Sequence, residues 1–120
     1  MCRILIAEDE PRIAAFIEKG LRKNGFTTVI AKTGSEALEM AQAGDYDLML
    51  LDLGLPGIDG WTVLDELRHN GNTLHIIIVT ARDGMRDRIE SFKRGADDYI
   101  TKPFQFSVLL NRVREQLSDR

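Results

Sequence analysis

Four short segments of the chain each place an acidic, hydroxyl or basic side chain just after an apolar run. In chain order, these side chains are Glu8 with Asp9, Asp52, Thr80 and Lys102. Carboxylates and waters are the usual ligands of Mg²⁺, and a threonine and a lysine could hold the oxygens of a phosphoryl group. The set could therefore carry out phosphoryl-transfer chemistry, provided that the fold brings its members to one place.

The three carboxylates would repel one another at short range, so a site that contains them needs compensating positive charge. We expect Glu8, Asp9 and Asp52 to bind Mg²⁺, with the backbone carbonyl of Gly54 as a further ligand. Asp52 could then act as the nucleophile that accepts a phosphoryl group. Lys102 would supply a second, fixed positive charge.

The elements that position these groups can be predicted from the hydrophobic pattern. Three of the apolar runs are nearly continuous, as strands that are covered on both faces require. The five runs are Ile4–Ala7, Val29–Ala31, Leu48–Leu51, Ile76–Val79 and Tyr99–Ile100. We therefore expect five strands, of which the central ones are buried.

Segments with apolar residues at helical spacing follow these strands. The first has a stripe of Ile13, Phe16, Ile17 and Leu21, the fourth only Ile89 and Phe92, and the last Phe106, Leu109, Leu110, Val113 and Leu117. Cap residues occupy the predicted helix starts at Asp9–Pro11, Thr33–Ser35 and Asp59–Gly60. The sequence therefore predicts five strand–helix units.

This alternation predicts an α/β fold in which a five-stranded parallel sheet is doubly wound by helices on both faces. The expected strand order is 2-1-3-4-5, as in flavodoxin-like (βα)5 folds. That order opens a crevice between strands 1 and 3 at their carboxyl ends, which is where Glu8, Asp9 and Asp52 would meet. Residues 1–120 are expected to form one domain.

Composition excludes several classes of function. The net charge of -3 and the pI near 5.4 give no basic surface for nucleic acid, so direct DNA binding is not expected. Cys2 is the single cysteine, which rules out an internal disulfide and a cysteine-based metal site. With no apolar run near the ~18 residues of a membrane span and no signal peptide, we expect a cytoplasmic protein without membrane contact.

The chain resembles the receiver domain of two-component response regulators along essentially its whole length. The matching motifs are Glu8-Asp9-Glu10, Asp52 with Leu55-Pro56 and Asp59-Gly60, Thr80-Ala81, and Tyr99-Ile100-Thr101-Lys102-Pro103-Phe104. Each motif is weak alone, but together, in this order and spacing, they are highly specific. The resemblance implies Mg²⁺-dependent transfer of a phosphoryl group from a phosphohistidine of a sensor histidine kinase to Asp52. Slow self-catalysed hydrolysis would follow, and the domain would not be an enzyme toward other substrates.

The resemblance also implies a switch. Thr80 would move toward the phosphoryl group, Tyr99 would rotate inward behind it, and the Lys102–Pro103 bond is expected to be cis. The segment Gly95–Phe104 resembles the winged-helix (OmpR/PhoB-type) branch. Receivers of that branch precede a DNA-binding domain and form homodimers through the fourth helix, fifth strand and fifth helix. The residues that match this dimer interface are Arg88, Ile89, Phe92, Asp97, Asp98, Leu110 and Arg112.

Two positions depart from the pattern of the branch. Val108 stands where a glutamate is usual, so Arg88 lacks its expected partner; because Val108 lies off the apolar stripe, we expect it to be exposed. An exposed ion pair contributes only about 0–1 kcal/mol, so dimerisation could survive this loss. Gly54 stands where a larger side chain is common, which would let water reach a phosphoryl group on Asp52 more easily.

Other interpretations stay open at this stage. A phosphatase that forms an aspartyl-phosphate usually has a second carboxylate two residues after its nucleophile, where this chain has Gly54. A flavin-binding carrier would need a phosphate-binding loop where Glu8-Asp9-Glu10 would repel phosphate. A stand-alone receiver that docks to a partner protein, without a DNA-binding output, is the main alternative to a transcriptional regulator. Singly, the acidic residues could be structural, with Asp9 as a helix N-cap.

Overall fold

The computed structural model describes residues 2–118, in which five strands and five helices alternate. The strands are β1 (Arg3–Ala7), β2 (Thr27–Ala31), β3 (Leu48–Leu51), β4 (His75–Thr80) and β5 (Asp98–Thr101). The helices are α1 (Pro11–Lys23), α2 (Gly34–Ala43), α3 (Gly60–His69), α4 (Met85–Lys93) and α5 (Phe106–Ser118). Within this range no helix has the length and apolar character needed to span a bilayer.

The five strands form one parallel sheet in the order β2-β1-β3-β4-β5. This confirms the predicted fold class and strand order. β1 lies between β2 and β3, and Ala7 at its end is level with Leu51 of β3. The chain therefore winds away from β1 in both directions, which leaves a crevice at the carboxyl ends of β1 and β3.

Alternate residues of the central strands pack into two separate apolar cores, one on each face of the sheet. Leu5, Met49 and Ile78 point toward the face that α2 and α3 cover. Ile6, Leu50 and Val79 point toward the face that α1 and α5 cover. Full burial of each such side chain stabilises the fold by about 1.5–3 kcal/mol, so the sheet is a firm support for the residues that follow its strands.

The helix starts follow local capping chemistry. The Thr33 hydroxyl accepts a hydrogen bond from Glu36 N at 3.1 Å, and the Asp59 carboxylate accepts one from Thr62 N at 3.0 Å. α1 differs, because its N-cap residue is Glu10 without a side-chain cap and Pro11 occupies the first turn. The interpretation of Asp9 as an N-cap is therefore wrong.

Three residues of the predicted helical stripes are not in the core. Phe16 is 51% exposed, because α1 buries Ala14, Ile17 and Leu21 instead. Ile89 and Phe92 are 47% and 41% exposed. Each of the three lies beside the buried line of its helix rather than on it.

Gly34, the first residue of α2, marks a close backbone approach. A Cβ atom here would collide with the carbonyl oxygen of Ile58 in the loop that follows β3. We therefore expect Gly34→Ala to lower the free energy of unfolding by about 2–3 kcal/mol in urea denaturation, because neither backbone segment can move freely. Gly84→Ala is the matched control, since a Cβ at Gly84 meets nothing within 4 Å; because Gly84 is the N-cap residue of α4, it is expected to lower stability by no more than about 1 kcal/mol. Equal effects of both changes would contradict the assignment.

Candidate metal and phosphoryl site

The carboxyl ends of β1 and β3 place two acidic residues side by side. Asp52 N donates a hydrogen bond to Ala7 O at 3.1 Å, and Glu8 N donates one to Ala31 O at 3.0 Å. These bonds continue the sheet by one residue beyond each strand. Glu8 and Asp52 therefore leave the sheet together at the crevice, as the predicted topology requires.

Glu8, Asp9 and Asp52 form a carboxylate cluster. Each offers an oxygen within 4.8 Å of the others, and residues 2–118 contain no other group of three or more acidic, histidine or cysteine side chains so arranged. Glu8 and Asp52 are only 3% and 8% exposed, whereas Asp9 is open to solvent. An all-oxygen donor set with one open side suits Mg²⁺, which keeps several waters.

Lys102 enters this cluster from the end of β5. Its Nζ lies 3.0 Å from Asp52 Oδ2 and 2.5 Å from Glu8 Oε1. Burial alone would lower the pKa of Lys102, but the hydrogen bonds to Glu8 and Asp52 and their charges outweigh it and raise the pKa. Lys102 is therefore a fixed cation at neutral pH. The peptide bond to Pro103 is cis, as the resemblance implied.

Backbone amides orient both buried carboxylates. Glu10 N donates to Glu8 Oε2 at 3.1 Å, and Gly54 N donates to Asp52 Oδ1 at 3.1 Å. Burial raises the pKa of Glu8, although the hydrogen bonds from Lys102 and from Glu10 N oppose this effect. Each carboxylate thus has one oxygen toward the backbone and one toward Lys102.

The loop from Asp52 to Gly60 is anchored at several points. Leu53 and Leu55 are buried, and Gly60 N donates to Leu53 O at 3.0 Å. A Cβ atom on Gly60 would collide with the Asp52 carbonyl oxygen, so only glycine fits here. At Gly54, by contrast, a Cβ would meet only Asp52 Oδ1, at 3.8 Å. The space beside Gly54 is therefore open.

Thr80 and Tyr99 are linked through the backbone of Arg82. Thr80 is buried at the end of β4, and its Oγ1 accepts a hydrogen bond from Arg82 N at 3.4 Å. Tyr99 is also buried, and its hydroxyl donates to Arg82 O at 2.6 Å. Burial, together with the charge of Asp87, raises the pKa of Tyr99, so its hydroxyl stays a donor. Tyr99 occupies the inward position in this structure.

Several residues that match the dimer interface share one flank of the domain. The Arg88 guanidinium lies 5.6 Å from the centre of the Tyr99 ring and 6.0 Å from that of Phe92. Within residues 2–118, Arg88 forms no salt bridge with a carboxylate. Val108 is 41% exposed, which confirms the expected exposure. Ile89 is exposed on the same flank.

The remaining interface residues have contacts inside the domain. Arg112 Nη1 donates to both carboxylate oxygens of Asp98, at 2.7 and 2.9 Å. Leu110 is half-buried and packs against the core. The Asp97 carboxylate accepts hydrogen bonds from Ile76 N at 2.8 Å and Arg68 Nη2 at 3.1 Å. Asp97 precedes β5, so these bonds lie at the amino ends of the strands, away from Lys102. Their interface role stays a prediction.

Arg68 is a structural residue that no motif or hydrophobic pattern singles out. Its guanidinium donates to the carbonyl oxygens of Gly95, Asn72 and Leu74 at 2.9, 2.9 and 2.7 Å, as well as to Asp97. One side chain thus ties together the loops before β4 and before β5. An arginine at the end of a helix has no local pattern that distinguishes this role from a solvent-exposed one.

An open apolar cavity of about 450 Å³ adjoins Lys102. Its lining residues are Ile13, Phe16, Ala81, Lys102, Pro103 and Phe104. The Phe16 ring lies 6.3 Å from that of Phe104 and 6.0 Å from that of Phe106. The sequence pattern does not reveal this aromatic cluster, because it groups Phe16 with the apolar stripe of α1. The regular spacing of Ile13, Ile17 and Leu21 could have indicated that Phe16 lies beside the stripe.

The sheet topology, the carboxylate cluster and the lysine that bridges it define a class of protein. The family model for the response regulator receiver domain matches residues 4–114, and the chain belongs to this family. The transcriptional activator protein IrlR of Burkholderia pseudomallei is 46% identical over 115 residues, which are 96% of this chain and 50% of IrlR. IrlR is a regulator of the OmpR/PhoB type, which is the branch that the segment Gly95–Phe104 of this chain resembles. The chain spans about half the length of the curated relatives it matches.

Solved structures agree with this family. The receiver domain of the Francisella response regulator 1452 has a TM-score of 0.96 and 35% identity, over 99% of this chain and 98% of that one. The response regulator TrrA of Thermotoga maritima, solved in complex with Mg(2+)-BeF, has a TM-score of 0.88 and 37% identity, over 98% and 100% of the two chains. The protein is therefore a receiver domain with an acidic pocket of the kind that suits Mg²⁺.

Proposed function

We propose that this receiver domain accepts a phosphoryl group on Asp52 from a sensor histidine kinase in a Mg²⁺-dependent reaction. The observation that carries the proposal is the position of Lys102 Nζ, within 3.0 Å of Asp52 and inside the cluster that Glu8 and Asp9 complete. The Mg(2+)-BeF complex of the relative TrrA supports the choice of metal. The reaction would take place in the cytoplasm, where such kinases keep their phosphohistidine.

Each residue of the site would have a separate role in phosphoryl transfer. One Asp52 carboxylate oxygen attacks phosphorus, and the P–N bond to the donor imidazole breaks, with its electron pair leaving on the nitrogen. Glu8, Asp9, Asp52 and the carbonyl of Gly54 would hold Mg²⁺, which would neutralise charge on the phosphoryl oxygens. Lys102, once in contact with a phosphoryl oxygen, would stabilise the same charge, and Thr80 would donate its hydroxyl to another.

The domain would catalyse only its own phosphorylation and slow dephosphorylation. The open space at Gly54 admits water to Asp52, while no acidic side chain stands at that position to protonate a leaving group. This arrangement argues against turnover of external phosphate esters. The apolar cavity beside Lys102 would give a protein donor a contact surface next to Asp52.

The experiment that tests the proposal is incubation with acetyl phosphate, followed by mass spectrometry of the intact protein and of its peptides. We expect one phosphoryl group, located on the peptide that contains Asp52, when Mg²⁺ is present. A chelator should prevent its appearance. Phosphorylation without a divalent cation, or on a different residue, would contradict the proposal.

The output is proposed to be a transcriptional one. The relative IrlR is named as a transcriptional activator and is about twice as long as this chain, so DNA binding would belong to a C-terminal domain that lies outside it. The alternative is a stand-alone receiver that acts by docking to a partner protein. The nucleotide sequence after the codon for Arg120 distinguishes the two.

Phosphorylation is also proposed to favour a homodimer through α4, β5 and α5. Ile89, Phe92 and Val108 give this flank an exposed apolar patch, and Val108 enlarges it where a glutamate would have reduced it. The unpaired charge of Arg88 lies at its border.

Ile89→Asp is therefore expected to prevent dimer formation, because it introduces a charge into the patch. Sedimentation of the beryllofluoride-treated protein with Mg²⁺ measures this, and the parent should sediment as a dimer. Phe16→Ser, which removes an exposed aromatic residue from α1, is the control and should still dimerise. A parent protein that stays monomeric at high concentration would rule the dimer out.

A further inference from the structure

α4 is held to the domain in an unusual way. Of its nine residues only Ser91 is buried, and Met85 and Ile89 are 70% and 47% exposed. A surface helix is normally held by a continuous apolar stripe that faces the core. α4 lacks such a stripe, so its position depends on the polar and aromatic contacts at its two ends.

The carboxyl end of α4 is attached to α3 by the side chain of Arg94, and the next residue, Gly95, accepts a hydrogen bond from Arg68 of α3 at 2.9 Å. Arg94, the C-cap residue, stacks its guanidinium over the Trp61 ring at 4.7 Å and donates to Asp65 at 3.2 Å. Its Nε also donates to Glu90 at 3.1 Å, which fixes the side chain against its own helix. Trp61 and Asp65 lie one turn apart on α3, so Arg94 bridges the last turn of α4 and the first turns of α3.

Trp61 is itself a fixed point. It follows Gly60, whose amide bonds to Leu53 O and whose Cα is packed against the Asp52 carbonyl. The start of α3 therefore cannot shift without a shift in the loop that begins at Asp52. Arg94 joins α4 to a rigid part of the domain.

The amino end of α4 is attached differently. Its N-cap residue, Gly84, makes no side-chain cap, and every residue from 81 to 86 is exposed. The contacts here include the bond from the Tyr99 hydroxyl to Arg82 O, a 3.9 Å ion pair between Arg82 and Asp87, and a long bond of 3.5 Å from Arg88 to Tyr99 O. Arg82 N also donates to Thr80 Oγ1 at 3.4 Å, so this end of α4 is joined to the residue that would move toward a phosphoryl group on Asp52.

We propose that Arg94 clamps the carboxyl end of α4 to Trp61, so that α4 pivots about this end while its amino end moves. A pivot of this kind would displace Met85 and Ile89 more than Phe92, and it would reshape the exposed apolar patch at one side only. The inference rests on the proposed phosphorylation switch for its biological role, but the clamp itself exists in the resting protein and can be tested there.

Spin-label distances measure the two ends of α4 separately. In a Cys2→Ser background, one label at the exposed position 39 on α2 is paired with a second label at position 86 or 93. In the resting protein we expect a narrower distance distribution to position 93 than to position 86. Arg94→Gln should broaden the distribution at 93, since loss of one exposed cation–π contact implies a rise of roughly two- to fivefold in the unclamped population.

Two further variants make the comparison specific. Arg114→Gln, an exposed arginine of α5 whose contact is a 3.3 Å bond to Asn24, should leave both distributions unchanged. Arg94→Lys should restore the narrow distribution only in part, because an ammonium group lacks the planar fork that stacks and bonds together. Acrylamide quenching of Trp61, the single tryptophan, should rise in Arg94→Gln in parallel.

Equal widths at positions 86 and 93 in the resting parent, or an unchanged width at 93 in Arg94→Gln, would overturn the clamp. With beryllofluoride and Mg²⁺, the distance to position 86 should shift by roughly 1–2 Å and the distance to 93 should not. A shift of equal size at both positions would overturn the pivot. Failure of Asp52 to accept a phosphoryl group would overturn the proposed function instead, and the resting-state widths would still decide the clamp.

Discussion

Asp52→Asn is expected to abolish phosphoryl uptake from acetyl phosphate and to leave the fold intact. Asparagine has the same shape, and its side-chain oxygen can still accept the hydrogen bond from Gly54 N that Asp52 Oδ1 accepts at 3.1 Å. Its amide nitrogen cannot act as the carboxylate nucleophile, however, and it provides one negative charge less for Mg²⁺. Intact-protein mass spectrometry measures the uptake, and circular dichroism with urea denaturation measures the fold.

Asp45→Asn is the matched control for this change. Asp45 is exposed and precedes β3, so it lies at the amino ends of the strands, away from the carboxylate cluster. The control protein should take up one phosphoryl group at the rate of the parent. Stoichiometric phosphorylation of the Asp52→Asn protein would show that the acceptor is a different residue, and the assignment of the site would then fail.

Lys102→Met is expected to have the second-largest effect. The Lys102 ammonium would stabilise charge that develops on the phosphoryl oxygens, and removal of one such donor commonly lowers a rate by about 10²–10³-fold. The rate of phosphorylation by acetyl phosphate at saturating Mg²⁺ is the measurement. Lys93→Met, which removes an exposed lysine of α4, should leave this rate unchanged.

The same variant makes a second, independent prediction about stability. Without Lys102, the carboxylates of Glu8 and Asp52 lose the cation that lies between them and repel each other in a partly buried site. We therefore expect Mg²⁺ to raise the Tm of Lys102→Met by more than it raises the Tm of the parent. A Tm that does not respond to Mg²⁺ in either protein would contradict the metal site itself.

The strands and their order followed from the sequence because buried parallel strands leave a strong local pattern. The runs Leu48–Leu51 and Ile76–Val79 are apolar on both faces, and only a sheet covered on both sides buries them. Once the order was known, the meeting of Glu8 with Asp52 followed from topology alone. The approach of Lys102 was expected from the carboxyl ends of the strands, but its short distances depend on tertiary packing.

The exposed apolar residues could not be assigned in the same way. Helical spacing indicates which residues share a face but not how far the buried face extends, so it groups Phe16 with the stripe of α1 and pairs Ile89 with Phe92 in a weak stripe of α4. The N-cap of α1 was misplaced by one residue, because Asp9 and Glu10 both precede Pro11 and local preference favours aspartate. The contacts of Arg94 and Arg68 join segments far apart in sequence, and no local pattern encodes them.

The contacts of Arg68 have a mechanical consequence. By tying the turns before β4 and β5 to the end of α3, this arginine makes the amino edge of the sheet a rigid base. A structural change that starts at the carboxyl ends of the strands can then propagate only to the flank of the domain where few side chains are anchored. A protein that distinguishes the two states of this domain should therefore bind this flank and not the surface at the amino ends of the strands.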